Sequence, residues 1–190
     1  METSVKRFLE NIETYKQDKQ EHFTIVVQDE TEVTYGFDKD CNIDYCIEHN
    51  IPVFDRKGTG GCIVHCKGSI GINHIYSHDK YPEFLSTKMI NDMCKYFVSK
   101  DLNATLDRND ILIDGYKVAS CAENNLEPDY KWCNSVVLIS INQDLDTIKN
   151  VCKKEMVKTP KGLIDFGITT EEMYQWCIEW FDKNNVTINK

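Results

Sequence analysis

No apolar run in this 190-residue chain is long enough to cross a membrane. The opening stretch, METSVKRFLENIETYKQDKQ, has no apolar centre of the kind a secretory leader carries. Proline is scarce, at 4 residues, and 41% of the chain is hydrophobic, which excludes a proline-rich disordered polymer. Cations are also short. There are 22 Lys+Arg against 31 Asp+Glu, a net charge of −9, which excludes a protein that binds nucleic acid by neutralising many phosphates. A local basic pocket for one small anion is still compatible with that balance. The expectation is a cytoplasmic monomer, one globular domain over residues 1–190, with no membrane or nucleic-acid partner.

Cysteine is the residue in excess: 9 in all. An odd count in a reducing compartment fits core thiols, metal ligands or nucleophiles better than a disulfide framework. Cys62 and Cys66, then His74 and His78, loosely match a zinc ligand set, but the cysteines lie between a glycine-rich segment and a strand rather than in a tight knuckle. Packing thiols are the preferred reading, and no metal is expected. Asp38, Asp40, Asn42 and Asp44 alternate as in a calcium loop, yet Ile43 and His49 stand where the loop needs Gly and Glu. That stretch reads instead as an acidic helix start.

Apolar spacing predicts helices over 4–19, 42–49, 82–99, 144–153 and 170–183, and strands over 23–28, 32–36, 51–55, 110–114, 116–122 and 134–142, with two more in CIVHC and SIGINHIY. Pro82 is placed in the first turn of its helix, Asp144 as an N-cap, and Asp114-Gly115 in a hairpin turn. Hairpins without a regular βαβ repeat indicate an α+β fold. The stretches 123–132 and 155–168 read as long binding loops.

Three segments carry chemistry. Arg56-Lys57-Gly58-Thr59-Gly60-Gly61 follows a strand. Its glycines allow close backbone approach, and its cations suit a carboxylate or phosphate; a plain turn is the alternative. Lys117 interrupts an apolar strand, and a period of two places it on one face with Ala119 and Cys121. It either points into a pocket or lies at an edge in water. Cys152 ends a short helix beside Lys153 and Lys154, which favour a thiolate; a packed helical cysteine is the alternative.

In this order, the segments resemble the biotin and lipoate protein ligase superfamily, closest to its lipoyl(octanoyl) transferase branch. IPVFDRKGTGGCIVHCKGSIG is similar to the family's strand, Arg-plus-glycine turn and "TYHGPGQ" acyl-site segment. DILIDGYKVASCA resembles the segment carrying the family lysine, with Lys117 at that lysine. LISINQDL resembles "ALN(V/I)NxDL", FTIVVQDETEVTYGF the opening of the family domain, and Cys152 falls at the cysteine of "PCG". The likeness spans about 23–168.

The resemblance implies an α+β fold, a mixed or antiparallel sheet with helices packed on one side. It implies transfer of an octanoyl or lipoyl group from an acyl carrier protein thioester to Cys152, then to a lysine of a lipoyl domain, with Lys117 activating the thiol. No cofactor is expected for that reaction. Arg56, Gly60, Gly61, Cys62, His65, Cys66, Ser120 and Cys121 are the implied substrate-binding residues. The ligase branch would instead use ATP and magnesium to make an acyl-adenylate held by Lys117, Arg56 and the glycine turn. Departures are visible. Cys66 replaces the histidine of "YHGPG", Ser135-Val136 replaces "HG", and Val151-Cys152-Lys153 replaces "PCG". A non-catalytic binding protein that keeps the fold is the third reading.

Overall fold

A computed structural model describes residues 4–36, 40–55, 61–81, 85–126, 132–154 and 156–188. The larger of its two sheets has six strands: β1 (His22–Val27), β5 (Ile70–Ser77), β9 (Trp132–Ile139), β8 (Tyr116–Asn125), β7 (Asp110–Ile113) and β6 (Ala104–Asp107), in that spatial order. Every pairing in it is antiparallel. The smaller sheet has the order β3 (Val53–Asp55), β2 (Glu32–Tyr35), β4 (Cys62–His65), with β2 parallel to β3 and antiparallel to β4. The expected α+β class with a mixed sheet is what the chain forms.

Among the described residues, the five α-helices are α1 (Ser4–Asp18), α2 (Ile43–Glu48), α3 (Leu85–Ser99), α4 (Leu145–Val151) and α5 (Thr170–Lys183). Local chemistry fixes several boundaries. The side chains of Asn42, Asp144 and Thr169 accept from the backbone N–H groups of Tyr45, Thr147 and Glu172, capping α2, α4 and α5. Asp114 (φ 50) and Gly115 (φ 81) both adopt left-handed backbone, the conformation a two-residue type I′ hairpin turn demands.

The helices occupy both faces of the large sheet rather than one. Phe23 and His74 pack against Phe181 of α5. The neighbouring register pair Thr24 and Asn73 points the other way, where Asn11 of α1 donates to Thr24 Oγ1 at 3.0 Å. Double coverage explains why β5 is buried along nearly its whole length. A main core forms under α3 and α5 around Met89, Met93, Phe97 and Phe181. A second, smaller core joins β2, β4, α2 and α4 through Val33, Cys41, Cys46, Val64, Cys66, Ile148 and Val151.

Three sequence expectations shift. Ladder pairs with β9 carry β8 through the polar Glu123-Asn124-Asn125, shortening the 123–132 loop. β6 escaped the sequence reading because a four-residue edge strand with mostly exposed side chains shows no apolar alternation. Pro82, expected in the first turn of its helix, lies outside the described residues, and α3 is described from Leu85.

Candidate functional site

A cavity of about 530 Å³ opens where the two sheets meet. Lys117, Asp110, Asn109 and Arg108 line it from the large sheet and the β6–β7 turn. Gly61, Cys62 and Cys152 line it from the small-sheet side, and Lys154, Met156 and Lys158 from the following segment. The two sequence candidates Lys117 and Cys152, 35 positions apart, thus face one space.

Lys117 reaches the cavity through a β-bulge. Ile111 pairs with Ala119 but Leu112 pairs with Lys117, so Val118 is an extra residue. One extra residue inverts the side-chain alternation. Lys117 therefore does not share a face with Ala119 and Cys121, as a strict period of two predicts. It shares one with Ser120 and Asp110, while Ala119 and Cys121 turn into the main core. Burial pushes the Cys121 thiol up to about 11.

The Lys117 ammonium donates to Asp110 Oδ1 at 2.9 Å. The other oxygen, Asp110 Oδ2, accepts from Lys158 at 2.6 Å, and Lys158 also bridges to Asp107 at 2.8 Å. Although burial opposes it, the hydrogen bonds to Asp107 and Asp110 raise the Lys158 pKa, and Lys158 in turn lowers that of Asp107. The same segment straps across the strand backbone. Lys117 N–H donates to Thr159 O at 2.9 Å, and Lys161 N–H donates to Lys117 O at 3.0 Å.

Cys152 is the C-cap of α4, its N–H donating to Ile148 O. It forms an isolated bridge with Cys41, flanked by Asn42 N–H to Val151 O at 2.8 Å and Lys153 N–H to Asp40 O at 3.1 Å. Its thiol donates to the backbone carbonyl oxygen of Cys62 at 3.9 Å, which sets the two cysteine side chains beside each other. The Cys62 thiol donates to Cys152, so Cys152 loses its proton more readily than an ordinary thiol, while Cys62 holds its own more tightly. The sequence pointed to Lys153 and Lys154 for this effect; the structure gives it to Cys62. Behind the pair, Cys41 contacts the thiols of both Cys62 and Cys46. Both are buried, and burial raises both, Cys46 to about 11.

Other sequence candidates fall elsewhere. His65 is buried in the small sheet, its Nε2 3.2 Å from Thr34 Oγ1. Cys66 is buried beneath the start of α4, where Asp144 N–H donates to its Sγ at 3.5 Å, and burial raises its pKa. Neither lines the cavity. Arg56 and Gly60 lie outside the described residues. Asp110, Lys158 and Arg108 were missed as site residues. An acid opening an apolar strand was the only local signal for Asp110, and Lys158 meets it from 48 positions away. Among the described residues, no group of three His, Cys, Asp or Glu side chains is placed to hold a metal ion.

The profile of the Lipoyl protein ligase A/B catalytic domain matches residues 6–182. This chain belongs to that family. No curated protein matches it at a significant level. Among solved structures, it is similar to the bi-partite lipoate protein ligase of Thermoplasma acidophilum, studied with its E2 lipoyl domain. The identity is 17% and the TM-score 0.70, covering 93% of this chain and 77% of that one. Lipoate-protein ligase A bound with ATP is 16% identical with a TM-score of 0.71, covering 93% and 78%. P. falciparum LipL1 in complex with lipoate is 16% identical with a TM-score of 0.68, covering 98% of this chain and 59% of that one. These likenesses establish a common fold. Within the described residues, no helix is long and apolar enough to cross a membrane.

Proposed function

We propose that this lipoyl ligase-type domain is an acyltransferase that moves an octanoyl or lipoyl group through Cys152. The observation that carries the reading is the shared cavity. A thiol biased toward thiolate by Cys62 and an ammonium anchored by Asp110 both line it.

In the first step, the Cys152 thiolate attacks the carbonyl carbon of an acyl carrier protein thioester. Lys117 donates a hydrogen bond to the oxygen as negative charge develops there. The carrier's thiolate leaves and takes up a proton, and a Cys152 thioester remains. In the second step, a lipoyl-domain lysine amine attacks that thioester. The amide forms, Cys152 leaves as thiolate, and the amine's surplus proton passes to solvent or a neighbouring base. The activated acyl group arrives with its donor, so this route needs no cofactor.

The test is intact-mass spectrometry after incubation with octanoyl carrier protein. An acyl adduct that disappears in Cys152→Ala is expected. No adduct, or one that survives the substitution, rules the route out.

A second reading is favoured by one feature. Arg108, Lys117, Lys154 and Lys158 line the same cavity, a cation set suited to phosphate oxygens. That fits an ATP-dependent ligase, in which the oxygen-bearing side chains lining the cavity, Asp40, Asn109 and Asp110, would be the ones to hold a magnesium ion. Bound ATP and magnesium would supply acyl activation, with Lys117 holding the acyl-adenylate. Pyrophosphate release that requires both lipoate and ATP, and persists in Cys152→Ala, would select this reading over the first.

A further inference from the structure

The acyl-transfer step uses one thiol, yet the structure supplies two at the cavity wall. Cys62 begins β4 and Cys152 ends α4, two elements packed against each other. The Cys152 thiol donates to the Cys62 carbonyl oxygen at 3.9 Å, so the two side chains sit next to each other on one cavity wall. Both are partly open to solvent, whereas Cys41, Cys46 and Cys66 are buried. Cys41 opposes Cys152 across the bridge, but its side chain is buried in the smaller core, out of reach of an oxidant in solvent.

We infer that Cys62 and Cys152 form a reversible oxidative modification site, closed to a disulfide by hydrogen peroxide and reopened by a thiol reductant. The Cys152 thiolate attacks one peroxide oxygen. The O–O bond breaks, hydroxide leaves and is protonated to water, and Cys152 becomes a sulfenic acid. Cys62 then attacks that sulfur while its proton passes to the departing hydroxide. The S–O bond breaks, a second water leaves, and an S–S bond joins the residues. Two thiols have lost two electrons and two protons, and the peroxide has become two waters.

The bond would consume the proposed nucleophile and span the cavity wall. Its formation does not depend on the acyl-transfer reading; only the claim that oxidation switches activity off rests on that reading. A second consequence is protective. With Cys62 in contact, the sulfenic acid is captured before further, irreversible oxidation.

The test treats the full chain with hydrogen peroxide at neutral pH, alkylates the remaining thiols and maps peptides without reduction. A Cys62–Cys152 linkage that vanishes on dithiothreitol treatment is expected. In Cys62→Ser, the linkage should be absent and Cys152 should accumulate as sulfinic or sulfonic acid. Cys41→Ser should keep the linkage. A Cys41–Cys152 linkage in the wild type overturns the proposal, as does over-oxidised Cys152 beside a reduced Cys62. If the linkage forms but no acyl adduct ever does, the modification site stands and the acyl-transfer reading fails. If adducts form normally on fully oxidised protein, the switch fails.

Discussion

Cys152 sits at the C-terminal end of a helix, where exposed carbonyl dipoles disfavour negative charge. Its lowered pKa therefore needs a donor, and the Cys62 thiol is that donor. Cys62→Ala removes it, so the Cys152 pKa should rise toward that of an ordinary thiol. Less thiolate is then present at neutral pH, and the rate of iodoacetamide labelling at Cys152 should reach half its maximum at higher pH. A midpoint that stays or falls would show that another group stabilises the thiolate. Asp110 plays the matching part for Lys117, fixing the ammonium at 2.9 Å. Asp110→Asn keeps the shape and removes the charge. Misplacement of a reacting group by about an ångström costs up to roughly 100-fold, so single-turnover acyl uptake should slow by about 10- to 100-fold. Unchanged uptake would exclude Asp110 as the residue that positions Lys117. Lys117 was conspicuous as a charge inside an apolar strand and Cys152 as a thiol beside two lysines, but it was the family resemblance that joined them. Cys62 read as a loose zinc-ligand match and an implied substrate-binding residue, not as a partner of Cys152, since that partnership arises where β4 meets α4. The Asp110–Lys158 contact leaves no local trace at all.

The strap from Met156 to Gly162 is the element that closes the site over Lys117. Backbone hydrogen bonds on both sides of Pro160 tie it to that residue, and Lys158 pins it to Asp107 and Asp110. Gly162 lets it pass the Ile141–Asn142 backbone that follows β9. A Cβ at this position would lie 2.4 Å from Ile141 O and 3.1 Å from Ile141 C, which are backbone atoms that cannot rotate aside. Gly162→Ala should therefore displace the strap. Overpacking of this kind costs about 1–3 kcal/mol, seen as a lower Tm and weaker acyl uptake than the wild type's. Acyl uptake equal to the wild type's would mean that the strap does not hold the site. The strap itself was legible only as a long irregular loop, because its order comes from tertiary contacts. The Asp114-Gly115 hairpin was legible because a two-residue turn has few chemical solutions. The bulge at Val118 was not, since an extra residue in an apolar strand leaves the composition unchanged and alters only the facing.

Across the whole molecule, the site is a seam between two cores. Lys117 belongs to the large sheet, whose core is built from Met89, Met93, Phe97 and Phe181. Cys62 and Cys152 pack against the smaller core of Val33, Cys41, Cys46, Val64, Cys66, Ile148 and Val151. Nothing in the α+β pattern of the sequence separates these cores, because residues 23–36 and 51–77 each contribute strands to both sheets. The smaller core buries fewer and smaller side chains, and local opening free energy follows the apolar contacts that must be broken. It should therefore open without the larger one. The cysteines are built-in reporters of this. Cys41, Cys46 and Cys66 lie in the small core, and Cys94, Cys133 and Cys177 in the large one. Under native conditions, thiol labelling followed by peptide mapping should modify the first three together and well before the second three. Added denaturant should speed the first group weakly and the second group steeply, because only global unfolding exposes the large core. One shared rate and one shared denaturant dependence for all six would mean that both cores open as a single unit. The distance between the Lys117 ammonium and the Cys152 thiol would then be fixed by global stability rather than by movement of one sheet against the other.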